Sequence, residues 1–220
     1  ECRKYYSYVN GSKTFEGKNS FPLGNPIDSR FDIPFNPRVE GTLQTQIHVI
    51  AGGPCSGKTT LLKALSTAGY RVEEETAELL IKAGVALGKR AEDLRAEPAL
   101  WQKNVLRQDH KLFDSLPTDA LTFTDTSMIE DLVFADRAGL TIGPNLEAWI
   151  RYKRYKKVFF LAPLDNYEQT DVRIESHQTA LEISDEVQAR YRRYGYEPIT
   201  VPSAPVAQRV QFILSRLVDA

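Results

Sequence analysis

The sequence predicts an α/β fold: a three-layer sandwich in which helices cover both faces of a mostly parallel, five-stranded sheet. Strand-like and helix-like segments alternate from residue 46 onward, which is typical of parallel strands joined by helical crossovers. The first strand-like run passes through a glycine-rich loop into a helix-like run, IHVIAGGPCSGKTTLLKAL. The 220 residues are 42% hydrophobic and 26% charged, which suffices for one α/β core.

Five segments carry strand signals, because their apolar runs are short and are bounded by turn residues. In chain order they are QIHVIAG, YRVEE, DALTFTD, KVFFLAP and YEPITVP. Between them, apolar residues recur with helical spacing. The predicted helices are GKTTLLKALSTAG, TAELLIKAGVAL, PALWQKNVLRQDHKLFDSL, MIEDLVFADRAG, NLEAWIRYKRY, residues 176–194 and VAQRVQFILSRLV.

The composition changes near residue 42, which predicts a boundary between an irregular segment, 1–41, and the main domain, 42–220. Residues 1–41 contain four prolines and no sustained periodicity. They form either a disordered arm or a strap whose aromatic side chains dock on the domain. Disordered segments are usually poor in aromatics, so the strap is favoured. Its candidate docking residues are Tyr5, Tyr6, Phe15, Phe21, Phe31 and Phe35.

Charge and cysteine content narrow the possible partners and location. The formal net charge is −1, so no global attraction to nucleic acid or to an anionic membrane is expected. No apolar run approaches the roughly 20 residues that span a bilayer. The two cysteines, Cys2 and Cys55, do not form a disulfide framework, which favours a cytoplasmic location. The chain starts at Glu1, without an initiator Met or a signal peptide, so we expect a trimmed chain or a piece of a longer protein.

The glycine-rich loop matches the phosphate-binding pattern G-x-x-x-x-G-K-[ST]. Its glycines let backbone N–H groups turn inward towards an anion, and the next helix adds its positive N-terminus. We expect Lys58 to reach the β- and γ-phosphates of a nucleotide and the Thr59 hydroxyl to bind Mg²⁺. Cys55 is a small loop residue or, alternatively, a thiol of lowered pKa. The predicted nucleotide-binding residues are Gly52, Gly53, Pro54, Cys55, Ser56, Gly57, Lys58, Thr59 and Thr60.

Three acidic residues follow the second and third predicted strands, where ligands collect in such sheets. Asp125 ends the third strand and is the candidate for the second Mg²⁺ contact; its alternative role is a helix N-cap. Glu130 lies about one helical turn further on and is a candidate general base or substrate ligand, or else a solvated acid in the first turn. Glu75 is the candidate substrate ligand after the second strand, whereas Glu78 is expected on a helix surface.

Two further segments carry charged residues. After the fourth strand, a polar link with Asp165, Asp171, Arg173 and Glu175 resembles the lids that close over phosphates in small-molecule kinases. Arg173 is the candidate for stabilising the transferred charge, with a local salt bridge as its alternative role. The basic stretch from Arg151 to Lys157 is interpreted as a solvated helix end. The alternative is a phospholipid-headgroup or nucleic-acid patch.

Taken together, these motifs resemble an AAA-type P-loop family that groups the nicotinamide-riboside kinase domain of NadR-type regulators with the TRPL translocation defect protein. The resemblance extends from Gln46 to Leu217. It is carried by IAGGPCSGKTTLLKAL, GYRVEEETAELLI, FTDTSMIEDLVFADRAG, VFFLAPLDNYEQTDVRIES and YRRYGYEPITVPSAPVAQRVQFIL. It implies a nucleoside-kinase-like P-loop NTPase fold. The sequence departs from the family pattern at Thr126 and Ser127 after Asp125, at Glu130, and at Glu78, where an arginine is common.

The sequence therefore predicts an ATP- and Mg²⁺-dependent phosphotransferase acting on a small hydroxyl-bearing molecule. ATP is preferred to GTP because the guanine-specifying Asn-Lys-x-Asp pattern is absent. The alternative is a non-catalytic or slowly hydrolysing ATP/GTP-binding switch that binds phosphoinositide. A kinase predicts that an acceptor stimulates turnover, whereas a switch predicts slow hydrolysis without acceptor stimulation.

Overall fold

A computed structural model describes residues 30–53, 56–162 and 177–217, together with two short strands within residues 7–14. The strands, in chain order, are β1 (Ser7–Val9), β2 (Ser12–Thr14), β3 (Arg30–Phe31), β4 (Leu43–Gln44), β5 (Ile47–Ala51), β6 (Arg71–Glu73), β7 (Thr122–Asp125), β8 (Thr141–Ile142), β9 (Lys153–Arg154), β10 (Lys157–Leu161) and β11 (Ile199–Val201). The helices are α1 (Lys58–Thr67), α2 (Thr76–Ala86), α3 (Ala91–Leu94), α4 (Pro98–Ser115), α5 (Met128–Arg137), α6 (Pro144–Tyr152), α7 (His177–Arg193) and α8 (Val206–Ser215).

The central sheet has five strands in the order β11-β10-β5-β7-β6, and every neighbouring pair is parallel. This arrangement confirms the predicted sheet and its five strands. β5 lies in the middle, so its carboxyl end, where the glycine-rich loop begins, is flanked by the carboxyl ends of β7 and β10. Ligand sites of such sheets form at this edge.

Helices cover both faces of the sheet. All five residues of β5 are buried. Because successive side chains of a strand point to opposite faces, both faces of the sheet must be covered at β5. Val49 belongs to one apolar cluster, which includes residues of α4, α5, α6 and α7. Ile50 belongs to the other cluster, with residues of α1 and α8. The three-layer prediction is therefore confirmed.

The predicted helix NLEAWIRYKRY ends earlier than expected. α6 stops at Tyr152, and Lys153–Arg154 form the short strand β9, which pairs with β4. The periodicity of the stretch does not reveal this change, because β9 depends on a partner strand that lies far away in the sequence. No helix among the described residues is both long enough and apolar enough to cross a membrane.

The end of the predicted strap packs against the domain. Phe31 and Ile33 are buried in the larger apolar cluster, and β3 pairs with β8 in parallel. The Asp32 carboxylate accepts the backbone N–H of Leu146 at 2.7 Å, in the first turn of α6. Phe35 lies beside the ring of Tyr152 at a centroid distance of 5.6 Å. The other aromatic residues named for the strap, Tyr5, Tyr6, Phe15 and Phe21, lie outside the described residues.

Candidate active site

The glycine-rich loop joins β5 to α1 at the carboxyl edge of the sheet. Gly57 precedes α1 with a φ of 86°, a conformation that glycine adopts without strain. A Cβ atom on Gly52 would lie 2.8 Å from the carbonyl oxygen of Leu161, and one on Gly53 would lie 2.9 Å from that of Ala180. The loop is thus packed tightly against β10 and α7, which leaves no room for side chains at these two positions.

Two basic side chains contact the backbone of this loop. The Lys58 ammonium group donates to the carbonyl oxygens of Gly52 at 2.9 Å and Gly53 at 3.3 Å. From the other side, the buried Arg209 of α8 donates to the carbonyl oxygen of Ser56 at 3.3 Å. The buried Ser56 hydroxyl and the Arg209 Nε atom have no hydrogen-bond partner among the described residues. Positive charge therefore lies on both sides of the loop.

Asp125 lies beside the first turn of α1. The Thr59 hydroxyl donates to Asp125 Oδ2 at 3.4 Å, although the two residues are far apart in the sequence. Asp125 is 4% exposed, and its Oδ1 atom has no hydrogen-bond partner among the described residues. Burial raises the pKa of the Asp125 carboxyl to about 7, and the nearby Lys58 charge opposes the rise. An unpartnered buried carboxylate oxygen next to a hydroxyl is a suitable donor pair for a hard cation.

The helix N-cap considered for Asp125 is instead formed by Ser127. The Ser127 hydroxyl accepts the N–H groups of Ile129 at 3.2 Å and Glu130 at 3.3 Å, at the start of α5. Between Asp125 and Ser127, Thr126 has a φ of 86°, an uncommon value for a residue with a Cβ atom. This turn separates the carboxylate at the end of β7 from the cap of the next helix.

Glu130 is held beneath this turn by Tyr191 of α7. The Tyr191 hydroxyl donates to Glu130 Oε1 at 2.7 Å and lies 2.7 Å from the Ser127 hydroxyl. Glu130 is 2% exposed. Burial raises the pKa of its carboxyl to about 8, whereas the charge of Lys58 and the bond from Tyr191 oppose the rise. Glu130 is therefore a buried acid that titrates near neutral pH and is electrostatically coupled to the loop lysine.

Glu75 lies near the other acidic groups of the site. It precedes α2 but makes no side-chain cap bond, and it is partly exposed. Its negative charge contributes to the raised pKa of both Asp125 and Glu130. The structure thus brings Lys58, Thr59, Asp125, Glu75 and Glu130 together at one edge of the sheet.

A second buried pair of acids, Asp109 of α4 and Asp131 of α5, lies next to this group. Burial raises the pKa of both carboxyls, and their mutual interaction raises the pKa of Asp131 further while it opposes the rise for Asp109. Asp109 also accepts a hydrogen bond from the Thr76 hydroxyl. Glu75 contributes to the raised pKa of both acids.

Sequence reasoning missed Tyr191, Asp109, Asp131 and Arg209. Asp109 occupies a position on the buried face of α4, so its helical spacing from apolar residues was a usable signal. Tyr191 follows Val187 by one turn, and both are buried, although the polar composition of α7 conceals that face. Nothing in the local sequence indicates that Arg209 reaches the loop, because this contact depends on the packing of α8.

Several residues that the sequence singled out lie away from this site or outside the described residues. Pro54, Cys55, Asp165, Asp171, Arg173 and Glu175 lie outside the described residues. Thr60 is exposed in the first turn of α1. Glu78 pairs with Lys82 at 2.9 Å on the surface of α2, as expected for a helix-surface charge.

The basic stretch is engaged in contacts inside the molecule. Arg151 pairs with Glu147 at 2.8 Å, and the Arg154 guanidinium lies 3.9 Å from the centre of the Tyr196 ring. Lys153 is buried and donates to a backbone carbonyl of α4. These contacts favour the structural interpretation of the stretch over a headgroup or nucleic-acid patch.

Comparison with known proteins finds a matching family model and solved structures of similar fold. A family model described as an AAA domain matches residues 47–209. The structure of the NadR protein in complex with NR has a TM-score of 0.58 at 16% identity, covering 80% of this chain and 51% of that one. The chain therefore spans about half the length of the NadR protein. A comparison with curated protein sequences found no match.

Deoxyadenosine kinase from M. mycoides is similar along nearly its whole length. Its structure with bound dATP has a TM-score of 0.56 at 14% identity and covers 78% of this chain and 98% of that one. At these identities the likeness establishes the fold alone, and it confirms the predicted nucleoside-kinase-like P-loop architecture. The link to the TRPL translocation defect protein stays a prediction. Because the family model matches most of the sequence, the chain belongs to the AAA domain family.

Proposed function

We propose that this protein is an ATP- and Mg²⁺-dependent kinase that transfers a phosphoryl group to a hydroxyl group of a small molecule. The observation that carries the proposal is the meeting of Thr59 and Asp125, 3.4 Å apart, next to the loop that contains Lys58. In P-loop enzymes this combination supports nucleotide phosphates and their metal ion. The fold shared with NadR and deoxyadenosine kinase supports the same class of activity.

The phosphate-binding role rests on the loop. The loop is packed so closely at Gly52 and Gly53 that a side chain would not fit at either position. The N-terminus of α1 adds partial positive charge. Lys58 contacts the carbonyl groups of the loop, from which we expect its ammonium group to turn towards the β- and γ-phosphates. Arg209 would hold the loop from behind through the Ser56 carbonyl group.

The metal-binding role rests on oxygen donors. Thr59 and Asp125 offer a hydroxyl and an unpartnered carboxylate oxygen, which are ligands that Mg²⁺ accepts. The described residues contain no group of three or more His, Cys, Asp or Glu side chains arranged to hold a metal ion. Mg²⁺ commonly uses only one or two protein ligands and completes its shell with phosphates and water. When bound, Mg·ATP would supply the transferable phosphoryl group and charge neutralisation.

The acceptor role is assigned to the acidic groups. Glu75 is partly exposed and would hold the acceptor hydroxyl. Glu130, whose pKa is raised to about 8, would take its proton, because a base with a pKa near the working pH combines availability with driving force. The new bond joins the acceptor oxygen to phosphorus, and the bond from phosphorus to the leaving ADP oxygen breaks. Arg173 is proposed to stabilise the charge that develops on the transferred group.

The acidic surroundings also suggest which acceptors are suitable. Glu75 lies close enough to Asp109, Asp125, Glu130 and Asp131 to raise the pKa of each. An acceptor with its own carboxylate or phosphate would be repelled. We therefore infer that the acceptor is a hydroxyl compound without negative charge.

We also propose a cytoplasmic location for the protein.

The test is ADP release from Mg·ATP, with and without a panel of nucleosides, sugars and amino alcohols. Asp125→Asn is the negative control, because it keeps the shape of the side chain but removes its charge. We expect at least one compound to stimulate ADP release by tenfold or more, and Asp125→Asn to abolish that stimulation. Slow release that no compound changes would contradict the kinase and favour the nucleotide-dependent switch.

A further inference from the structure

A groove separate from the glycine-rich loop lies between α4 and the strap residues 30–34. Its volume is about 550 Å³, within the range of small-molecule sites. One wall is the outer face of α4. The opposite face of that helix carries the buried Asp109, which hydrogen-bonds Thr76. The groove and the buried acidic groups therefore lie on opposite sides of α4.

The groove is strongly basic. Lys103, Arg107 and Lys111 follow one another at intervals of one helical turn along α4, and Arg30 adds a fourth cation from the strap. Among the described residues that line the groove, Asp32 is the single acid. Its carboxylate already accepts the N–H groups of Leu146 at 2.7 Å and Ile33 at 2.9 Å.

Two of these cations lack acidic partners within the described part of the chain. Arg107 donates to the Asn104 side chain at 3.1 Å, and neither Arg107 nor Lys111 forms an ion pair with a described residue. Arg151, in the basic stretch from Arg151 to Lys157, is by contrast paired with Glu147. Unpaired cations in a concave site focus the electrostatic potential and attract anions.

The charge of the groove differs from that of the chain as a whole. The whole protein has 28 Lys and Arg residues against 29 Asp and Glu residues, so the groove concentrates positive charge in a nearly neutral molecule. The segment that precedes the strap, residues 1–29, carries four Lys and Arg residues against three Asp and Glu residues. Residues 1–29 therefore bring no excess of negative charge.

We propose that this groove binds a small, phosphate-bearing anion at a site distinct from the glycine-rich loop. Guanidinium and ammonium groups are the usual protein ligands of phosphate. Their spacing along α4 suits an anion with more than one charged group. Phe31, Ile33 and Pro34 line the strap side, so the ligand contacts an apolar wall as well as the cations.

The experiment titrates tripolyphosphate into the full chain by calorimetry. Lys58→Ala serves as the background, because it removes the loop lysine and weakens phosphate binding there. Into this background we introduce Arg107→Gln with Lys111→Gln, which removes two charges but keeps long, helix-compatible side chains. The matched control is Arg192→Gln with Arg193→Gln, which removes two charges from an exposed part of α7. Thermal melts verify that each variant is folded.

We expect the Lys58→Ala background and the α7 control to bind one tripolyphosphate with affinities that agree within about twofold. The groove variant should bind it at least about tenfold more weakly. Equal affinity in the groove variant and the control, or no binding to the background, would overturn the proposal. Equally tight binding of citrate would overturn the phosphate class. Mg·ATP titration of the otherwise unchanged chain tests the proposed function separately, since the groove variants retain every residue assigned to it.

Discussion

The burial of Glu130 has opposite consequences for stability and for the proposed catalysis. Its carboxyl is 2% exposed, and burial raises its pKa to about 8 from the ordinary 4.5. Between these two pH values the folded chain binds a proton that the unfolded chain has released. The free energy of unfolding therefore falls as pH rises from about 4.5 to about 8. A residue with this property is retained at a cost in stability.

Glu130→Gln removes this titration and should change the pH dependence of stability. In metal-free protein, we expect the free energy of unfolding of the variant, relative to the original chain, to increase by about 1–3 kcal/mol between pH 5 and pH 8. Urea denaturation at both pH values measures this difference. The same variant should lose at least about a hundredfold in acceptor-stimulated ADP release while keeping its affinity for Mg·ATP.

Tyr191→Phe is the matched comparison, because it removes only the hydroxyl group that donates to Glu130. That bond lowers the pKa of Glu130, so the acid limb of the pH–rate profile should move to higher pH in Tyr191→Phe. A relative stability of Glu130→Gln that is independent of pH would show that Glu130 is ionised in the folded chain. It would also remove the raised pKa as an argument for its role as a base.

At the scale of elements, the strap end at residues 30–35 behaves as part of the domain. Phe31 and Ile33 are buried, and the Asp32 carboxylate satisfies N–H groups at the N-terminus of α6. The composition change near residue 42 does not reveal this packing, because the partners of the strap come from β8 and α6. We therefore propose that the folded unit extends across the predicted boundary at residue 42 and includes residues 30–35.

Two truncations test that proposal. Removal of residues 1–41 deletes two buried apolar side chains and the cap of α6, so we expect the free energy of unfolding to fall by at least about 3 kcal/mol. Removal of residues 1–29 keeps all three, so we expect a smaller fall in the free energy of unfolding than removal of residues 1–41 causes. Chemical denaturation of both truncated chains beside the full chain provides the measurement. Equal stability of the two truncated chains would contradict the proposal.

The elements differ in how far the sequence predicts them. The five central strands and the helices α1, α2, α4, α5 and α8 follow from local periodicity and turn residues. The short strands β4 and β9 form only because distant segments pair, so local patterns do not reveal them. The same distinction applies to the site. Asp125 and Glu75 follow from their positions at strand ends, whereas Tyr191 and Arg209 reach the site through helix packing.

At the scale of the whole molecule, the glycine-rich loop is a meeting point of distant parts of the chain. Gly53 packs against Ala180 and Ser184 of α7, and Arg209 of α8 bonds to the Ser56 carbonyl group. Asp125 reaches Thr59 from β7. The loop is therefore in contact with elements from both halves of the sequence. A ligand that binds the loop should stabilise the chain as a unit.

Mg·ATP should accordingly raise the unfolding temperature of the protein. At a concentration of 100 times its Kd, a ligand that binds only the folded state adds about 2.7 kcal/mol, which corresponds to about 5–10 °C for a chain of this size. Lys58→Ala should lose most of this shift. The control Lys63→Ala, an exposed position further along α1, should retain it. Scanning calorimetry with and without Mg·ATP makes the comparison, and an unchanged shift in Lys58→Ala would rule out the loop as the nucleotide site.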